Sequence, residues 1–379
     1  MWIHFHIKNI NSLSTFYGED HLDGKGFFGC LKENVMEAFE DRETGYEIRV
    51  LTDSDSWSTK PYFDFECTTP DDMRIFVSER SDGKRNLWLV DVKTGEKDLF
   101  LELQSGDRFS VPLNREYGLL FKSETKDIYR CDLASGEQTQ LGKVPFCLSA
   151  TSGQTTFQDG TLVASYQHRR KYYFIGVIDL KTGKCEMVYR TDQWTNHTQA
   201  CPTDNEHILY VHETGGDAIQ RMWMFNAREG SNRPYFVEQE NDWITHELWS
   251  RSGESVMFCR LFSAARISDE PDELWLGKKD GQRFECVARG NYLHGAPDAL
   301  DKWIVADDHR TGWITLVDLE TGENTLLATG LFPSSGAAHS HPSFNRRGDQ
   351  VILTLPLSDK NVQTGVIDLQ QVEAWSKKQ

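Results

Sequence analysis

No run of about 20 apolar residues occurs anywhere in this chain of 379, so no membrane-spanning helix is expected. Cations are also in short supply. Against 58 Asp and Glu stand only 41 Lys and Arg, a net charge of −17, which argues against nucleic acid as a partner because phosphate binding needs a basic surface. Cysteine lacks a pattern: the eight residues form no CxxC pair, and Cys131, Cys201 and Cys259 fall inside runs that read as strands. Free thiols in a reducing compartment fit that usage better than a disulfide framework. The opening MWIHFHIKNIN is too short and too polar for the core of a secretory signal, so the expected location is cytoplasmic.

What the chain does have is a repeated phrase: an apolar run, an Asp or its stand-in, a short polar step, then Gly. It reads LWLVDVKTGE from Leu87, IYRCDLASGE from Ile128, IGVIDLKTGK from Ile175 and ITLVDLETGE from Ile314. Weaker copies begin at Met222 and Leu274, and VIDLQQVE from Val366 is a degenerate last one. Gly95, Gly136, Gly183, Gly230, Gly281 and Gly322 are spaced by 41, 47, 47, 51 and 41 residues. Each phrase is a hairpin signal, preceded by a second β-rich run behind a polar turn, with room for an inner strand before that. Four antiparallel strands repeated seven times predict an all-β, seven-bladed β-propeller. A long sandwich or a solenoid is the competing architecture. Residues 39–379 are expected to form the propeller, with Tyr46 to Thr52 supplying the last blade's outer strand and closing the ring. Residues 1–38 match no repeat and read as an N-terminal extension of unknown role.

Used as a ruler, the repeat brings histidines into phase. His246, His294 and His341 each lie seven residues before the turn residues Gly253, Asp301 and Gly348, at the start of the predicted inner strands. Phe65, Phe109 and Ser152 hold that position in the first three blades, and Thr198, with His197 beside it, holds it in the fourth. Inner strands line a propeller's central channel, so these side chains should converge. His339 and His341, two apart on a predicted strand, should point the same way. Neutral imidazoles gathered in this manner make a metal site. The loops opening on the same face carry Arg80, Lys84, Arg85, His168 to Lys171, Arg221, Arg260, Arg266, His309 and Arg310, a cationic mouth suited to a small anion.

The segments WTNHTQACPTD, HETGGDAIQRMW, ITHELW and HSHPSF, in this order, resemble the oligogalacturonate lyases, cytoplasmic seven-bladed propellers that split pectin-derived oligouronides. The resemblance runs from Asp41 to Asp368 and is strong from Trp194 to Leu261 and around His339. It implies β-elimination: a proton leaves C5 beside the uronate carboxylate and the C4 oxygen departs, giving a 4,5-unsaturated product. It implies a Mn2+ ion on His294, His339 and His341, His246 as base, Arg221 as the cation that steadies developing charge, and His197 and His212 as substrate-site residues. Ligand preference alone would also admit Zn2+ or another divalent metal. Three positions depart from the family pattern. Gly336 stands where a Gln ligand is expected, Cys201 replaces an Arg, and an early His-Arg pair is replaced around Ser58 to Lys60. The expected partner is therefore an acidic, uronate-containing oligosaccharide. The alternatives are a non-catalytic propeller that binds such a sugar or a protein, and a metal-dependent hydrolase or epimerase using the same channel.

Overall fold

The computed structural model describes residues 37–53, 57–81, 84–213, 219–240, 242–262, 270–331, 338–358 and 361–378. Most of the expected N-terminal extension (residues 1–36), Gly336 and Arg266 lie outside the described residues, as does the side chain of Lys84. The described chain is all-β apart from Leu369–Gln371 and Glu373–Ser376, and its strands form six sheets, mostly four-stranded and antiparallel, as in a propeller. In chain order the first strand group is Trp57–Thr59, Arg74–Ser81, Lys84–Asp91 and Lys97–Leu103. The fourth, fifth and sixth begin with the inner strands Thr195–Ala200, Ile244–Trp249 and Tyr292–Pro297. The largest sheet has nine strands because the first group and the last touch through one parallel pair, Trp57 with Val362.

The recurring phrase makes its hairpin by local chemistry. At Asp91 the main chain brackets the turn: the Asp91 N–H donates to Glu96 O at 2.8 Å, and the Gly95 N–H donates to Asp91 O at 2.9 Å. The Asp91 carboxylate accepts the N–H groups of Lys93 and Thr94, both at 2.8 Å. Gly95 completes the turn at φ 71°, a conformation that a Cβ penalises. Asp132, Asp179 and Asp318 repeat the arrangement ahead of Gly136, Gly183 and Gly322.

The last copy breaks the rule. It has no glycine, so Asp368 instead caps a short helical turn by accepting the Gln370 N–H at 2.9 Å, and the chain does not return as an outer strand. Glu47–Val50 lies there, pairing Ile48 with Ile367 and Val50 with Gly365, and Ala38–Glu40 pairs outside it. Gly365 is required by this approach: a Cβ there would sit 2.5 Å from Leu355 Cδ1 and 3.1 Å from the Arg49 carbonyl.

Apolar side chains fill the space between neighbouring sheets. Phe157, Val163 and Ile175 of the third group pack against Ile208, Tyr210 and Phe225 of the fourth, all nearly fully buried. A segment between the first two strands of the first group enters among the inner strands. Its Tyr62 and Phe63 rings touch histidines from the fourth, fifth, sixth and last groups. The buried Glu66 anchors it, accepting from the Asn114 N–H and from Arg251, both at 2.8 Å, with Arg346 at 3.7 Å. Those three partners sit in the turns that follow inner strands, at the opposite end from the histidines.

Candidate active site

Inner strands deliver the histidines by way of bulges. Pairing slips between Asn196 and Gln199 in the fourth group and between Thr245 and Leu248 in the fifth. Each slip accommodates one extra residue, which re-aims a side chain. His197 at φ 44° and His246 at φ 57° occupy these slips, and His341 adopts φ 41°. The backbone thus matches His246 with His197, not with Thr198. The turn after Ala200 is one residue longer than the turn after Trp249, so counting back from the turn lands one residue late. His339 and His341 also lie off any strand, in the segment that leads to Ser343–Phe344. Pro342, between them and that strand, has no N–H to give a ladder. Their rings still lie 5.7 Å apart.

The predicted histidines come together, with one exception. His294 is the hub: its ring centroid is 4.0 Å from His246, 4.1 Å from His341 and 5.3 Å from His339. Asp307 orients it, accepting His294 Nδ1–H at 3.0 Å and the His294 backbone N–H at 2.9 Å. The same carboxylate accepts the His341 backbone N–H at 3.3 Å. His197 joins the rim through Tyr62, 5.8 Å between rings. His212 does not join; its ring packs on Tyr210 and Trp223 within the fourth sheet, where burial lowers its pKa to about 4. Burial, reinforced by His294, also holds His246, His339 and His341 below the ordinary imidazole value, so all three are neutral at pH 7.

Arg221 is buried and clamped by two carboxylates. Its Nε donates to the Glu247 carboxylate, which also accepts from Nη2 at 3.4 Å, and Nη1 reaches Glu213 at 3.0 Å. Burial works against its charge, but the two carboxylates more than compensate and raise its pKa. His197 Nε2 stands 3.8 Å from the other Glu213 oxygen. This cluster sets two carboxylates against one guanidinium beside His246, and leaves fewer free donors than an isolated Arg offers.

Several residues of the site had no role assigned from the sequence, although Glu213 and Glu247 lie within the segments HETGGDAIQRMW and ITHELW. Asp307, Glu213, Glu247, Tyr62 and Phe63 belong to no repeat position that carries chemistry elsewhere in the chain. A cleft of about 560 Å³ opens beside the histidines, lined by Lys60, Tyr62, Asp64 and His197 and extending to Arg80, Arg85 and Arg108. Burial lowers Lys60 to about 8 and raises Asp64 to about 7. Lys60 therefore keeps a cation where the family's His-Arg pair is missing. Cys201 is fully buried at the far end of its inner strand, its Sγ 3.7 Å from the Gly253 carbonyl, well away from the histidines' end. Of the other expected mouth cations, Arg260 is paired with Asp242 and Glu273.

The donor set fits a divalent metal. Metal–nitrogen bonds of roughly 2.0–2.1 Å place co-ligand ring centroids on the order of 4.5–5 Å apart, and the pairs among His294, His339 and His341 bracket that. Asp307 fixes the His294 tautomer with Nε2 bare, the usual support for a ligating imidazole. His339 Nδ1 is buried without a partner, as is His246 Nδ1. Among the described residues, no three His, Cys, Asp or Glu side chains are already disposed as a formed metal site.

A family model described as oligogalacturonate lyase matches residues 32–268, a span holding His197, His212, Arg221 and His246 and ending before the other three histidines. An oligogalacturonate lyase of Dickeya dadantii is 25% identical over 59% of this chain, a match that spans 63% of that protein's length. An oligogalacturonide lyase of Pectobacterium atrosepticum is 23% identical over 86% of this chain and 94% of its own. Two solved structures share the fold at 20% identity. The oligogalacturonate lyase of Vibrio parahaemolyticus gives a TM-score of 0.77, over 89% of this chain and 97% of its own. An oligogalacturonate lyase in complex with manganese gives 0.78, over 89% and 96%. With the family model covering well over half of its length, the chain belongs to the oligogalacturonate lyase family.

Proposed function

We propose that this chain is a metal-dependent, cytoplasmic lyase that cleaves short uronate oligosaccharides by β-elimination, built on a seven-bladed propeller over residues 39–379. Two observations support the blade count and the closure. The nine-stranded sheet divides into two blade-like groups at its single parallel pair, and Glu47–Val50 lies beside the last strand. The observation that carries the function is the packing of His246 and His341 within about 4 Å of the Asp307-held His294.

His294, His339 and His341 would hold the metal, and the manganese complex of a fold relative supports Mn2+. Bound there, the ion would supply a Lewis acid for the uronate carboxylate. His246, neutral because it is buried, is the base we assign to C5–H. As its nitrogen takes that proton, the C–H electrons form the C4–C5 double bond, the C4–O bond breaks, and the departing oxygen takes up a proton from water, to which His246 later returns its own. Arg221, held by Glu213 and Glu247, keeps the rim beside His246 rigid and offers its remaining N–H groups to the uronate. His197 lines the cleft the sugar enters, and His212 pairs across with Thr195 at the start of the same inner strand.

The test is the ultraviolet absorbance of a 4,5-unsaturated product formed from short galacturonate oligomers. Protein with Mn2+ should produce it, and a chelator or His246→Ala should abolish it. Failure across a panel of uronate oligomers would remove the lyase reading and leave a sugar-binding propeller.

A further inference from the structure

Several arginines in this acidic protein are paired with carboxylates. Arg74 meets Asp98, Arg221 meets Glu247, Arg251 meets Glu66, Arg260 meets Asp242 and Arg289 meets Glu273. Arg80, Arg85 and Arg108 are not, and all three line one cleft. Among the described residues none of the three has a carboxylate within ion-pair distance, although 58 acidic side chains were available to supply one.

Their placement concentrates charge. Arg80 and Arg85 are direct cross-strand partners in the first group, a like-charge pairing that costs stability. Arg108 opens the first strand of the second group and faces the same cleft. Asp107, the carboxylate that acts on Arg85, is buried and occupied by Lys122 and by the N–H groups of Gln104 and Ser123. Among the described residues Arg85 donates only to the Asp107 main-chain carbonyl, at 2.8 Å. Burial and the two neighbouring arginines lower the pKa of Arg85, the mark of a cation crowded by its own kind. Asp64 is the acidic group in the cleft wall, and burial pushes it up to about 7, so it offsets little of this charge.

The cleft connects this trio to the histidine site through Lys60, Tyr62 and His197, and its volume suits a ligand larger than one sugar ring. Phe65 and Phe109 offer apolar faces along the wall for sugar C–H groups. We propose that Arg80, Arg85 and Arg108 form a second carboxylate subsite, which binds a uronate adjacent to the one at the histidines and so sets preference for acidic chains of at least two residues. This rests on the lyase reading for its substrate class, though its binding test does not need turnover. Arginine is the fitting residue because its planar fork matches a carboxylate with two hydrogen bonds.

The experiment uses the full chain with Mn2+ and the variants Arg80→Gln and Arg108→Gln, both at exposed positions. Trigalacturonate is the probe, read by steady-state absorbance and by calorimetric titration in chelator, with its methyl-esterified form as the neutral control. Each variant should raise KM and Kd for the acid about tenfold, the loss of one charge-assisted contact. The fall in kcat should be smaller than the rise in KM, and the ester, weak already, should barely respond. Melting temperature should hold or rise, because repulsion is relieved. KM and Kd within twofold of wild type, an equal loss for acid and ester, or a fall in kcat alone would each overturn the subsite. If wild type binds the trimer through these arginines yet forms no unsaturated product, the subsite stands and the lyase reading falls. If it does not bind at all, the subsite falls.

Discussion

Asp307→Asn isolates the group that organises the histidines. In the wild type one carboxylate accepts three hydrogen bonds, from His294 Nδ1, the His294 N–H and the His341 N–H, at 3.0, 2.9 and 3.3 Å. A carboxylate only accepts, so His294 must carry its proton on Nδ1 and present a bare Nε2. An amide can also donate. If the Asn NH2 turns to Nδ1, the imidazole proton moves to Nε2 and blocks the lone pair a metal needs. Loss of such a partner weakens metal binding about 10–100-fold, or about 1.4–2.7 kcal/mol. Lost charge-assisted bonds should also cost about 1.5–3 kcal/mol of folding stability, measured by urea denaturation without metal. The decisive assay is calorimetric titration of Mn2+ into chelator-treated protein. Asp307→Ala, which cannot impose the wrong tautomer, should lose affinity through orientation alone and separate the two effects. Wild-type affinity in both variants would refute the reasoning, since His294 would then be no ligand or need no support.

Glu66→Ala should destabilise the fold by about 3–5 kcal/mol in urea, because it leaves Arg251 buried opposite no charge. His246→Gly should be more stable than His246→Ala by up to about 1 kcal/mol, since φ 57° is strained for any residue with a Cβ; equal midpoints would mean that the bulge relaxes. Asp204 titrates below the ordinary carboxylate range: burial opposes this, but the His207 side chain and the Glu206 and His207 N–H groups outweigh it. A depressed folded pKa gives stability that is present above the unfolded value and lost as pH falls through the folded one. The stability gap between wild type and Asp204→Asn should therefore be full near pH 6 and shrink below about pH 4. A gap constant down to pH 2 would count against that assignment.

The fold was legible where the chemistry is local. An Asp that accepts two N–H groups and a Gly at positive φ make a turn wherever they occur, so Asp91, Asp132, Asp179 and Asp318 announced their hairpins in plain sequence. The defective copy at Asp368 was equally informative, because a chain that turns helical there cannot supply its own outer strand. The histidines were legible through phase, but only to one residue. An extra residue in the turn after Ala200 moved the count from His197 to Thr198, and Pro342 kept His339 and His341 off the strand expected for them. Asp307, Glu213 and Glu247 were assigned no role for a different reason. Each acts through a partner from another strand or group, and a lone carboxylate in sequence carries no record of whom it will meet.

The bulges show how a repeat becomes a site. A regular inner strand alternates its side chains between the two faces of its own sheet, where they pack against neighbouring groups. Turning a residue toward the axis requires breaking that alternation, and His197 and His246 do so at slips in pairing, with left-handed backbone that costs each of them free energy. In the first group, by contrast, Phe65 at the corresponding count packs against Gly153, where a Cβ would meet its ring at 2.3 Å. The slips at His197 and His246 lie in groups that carry imidazoles, and the neighbouring first and second groups carry Arg80, Arg85 and Arg108 instead. Both departures oppose stability, and both face one cleft or its edge. Their coincidence at one mouth is what the repeat alone would not produce.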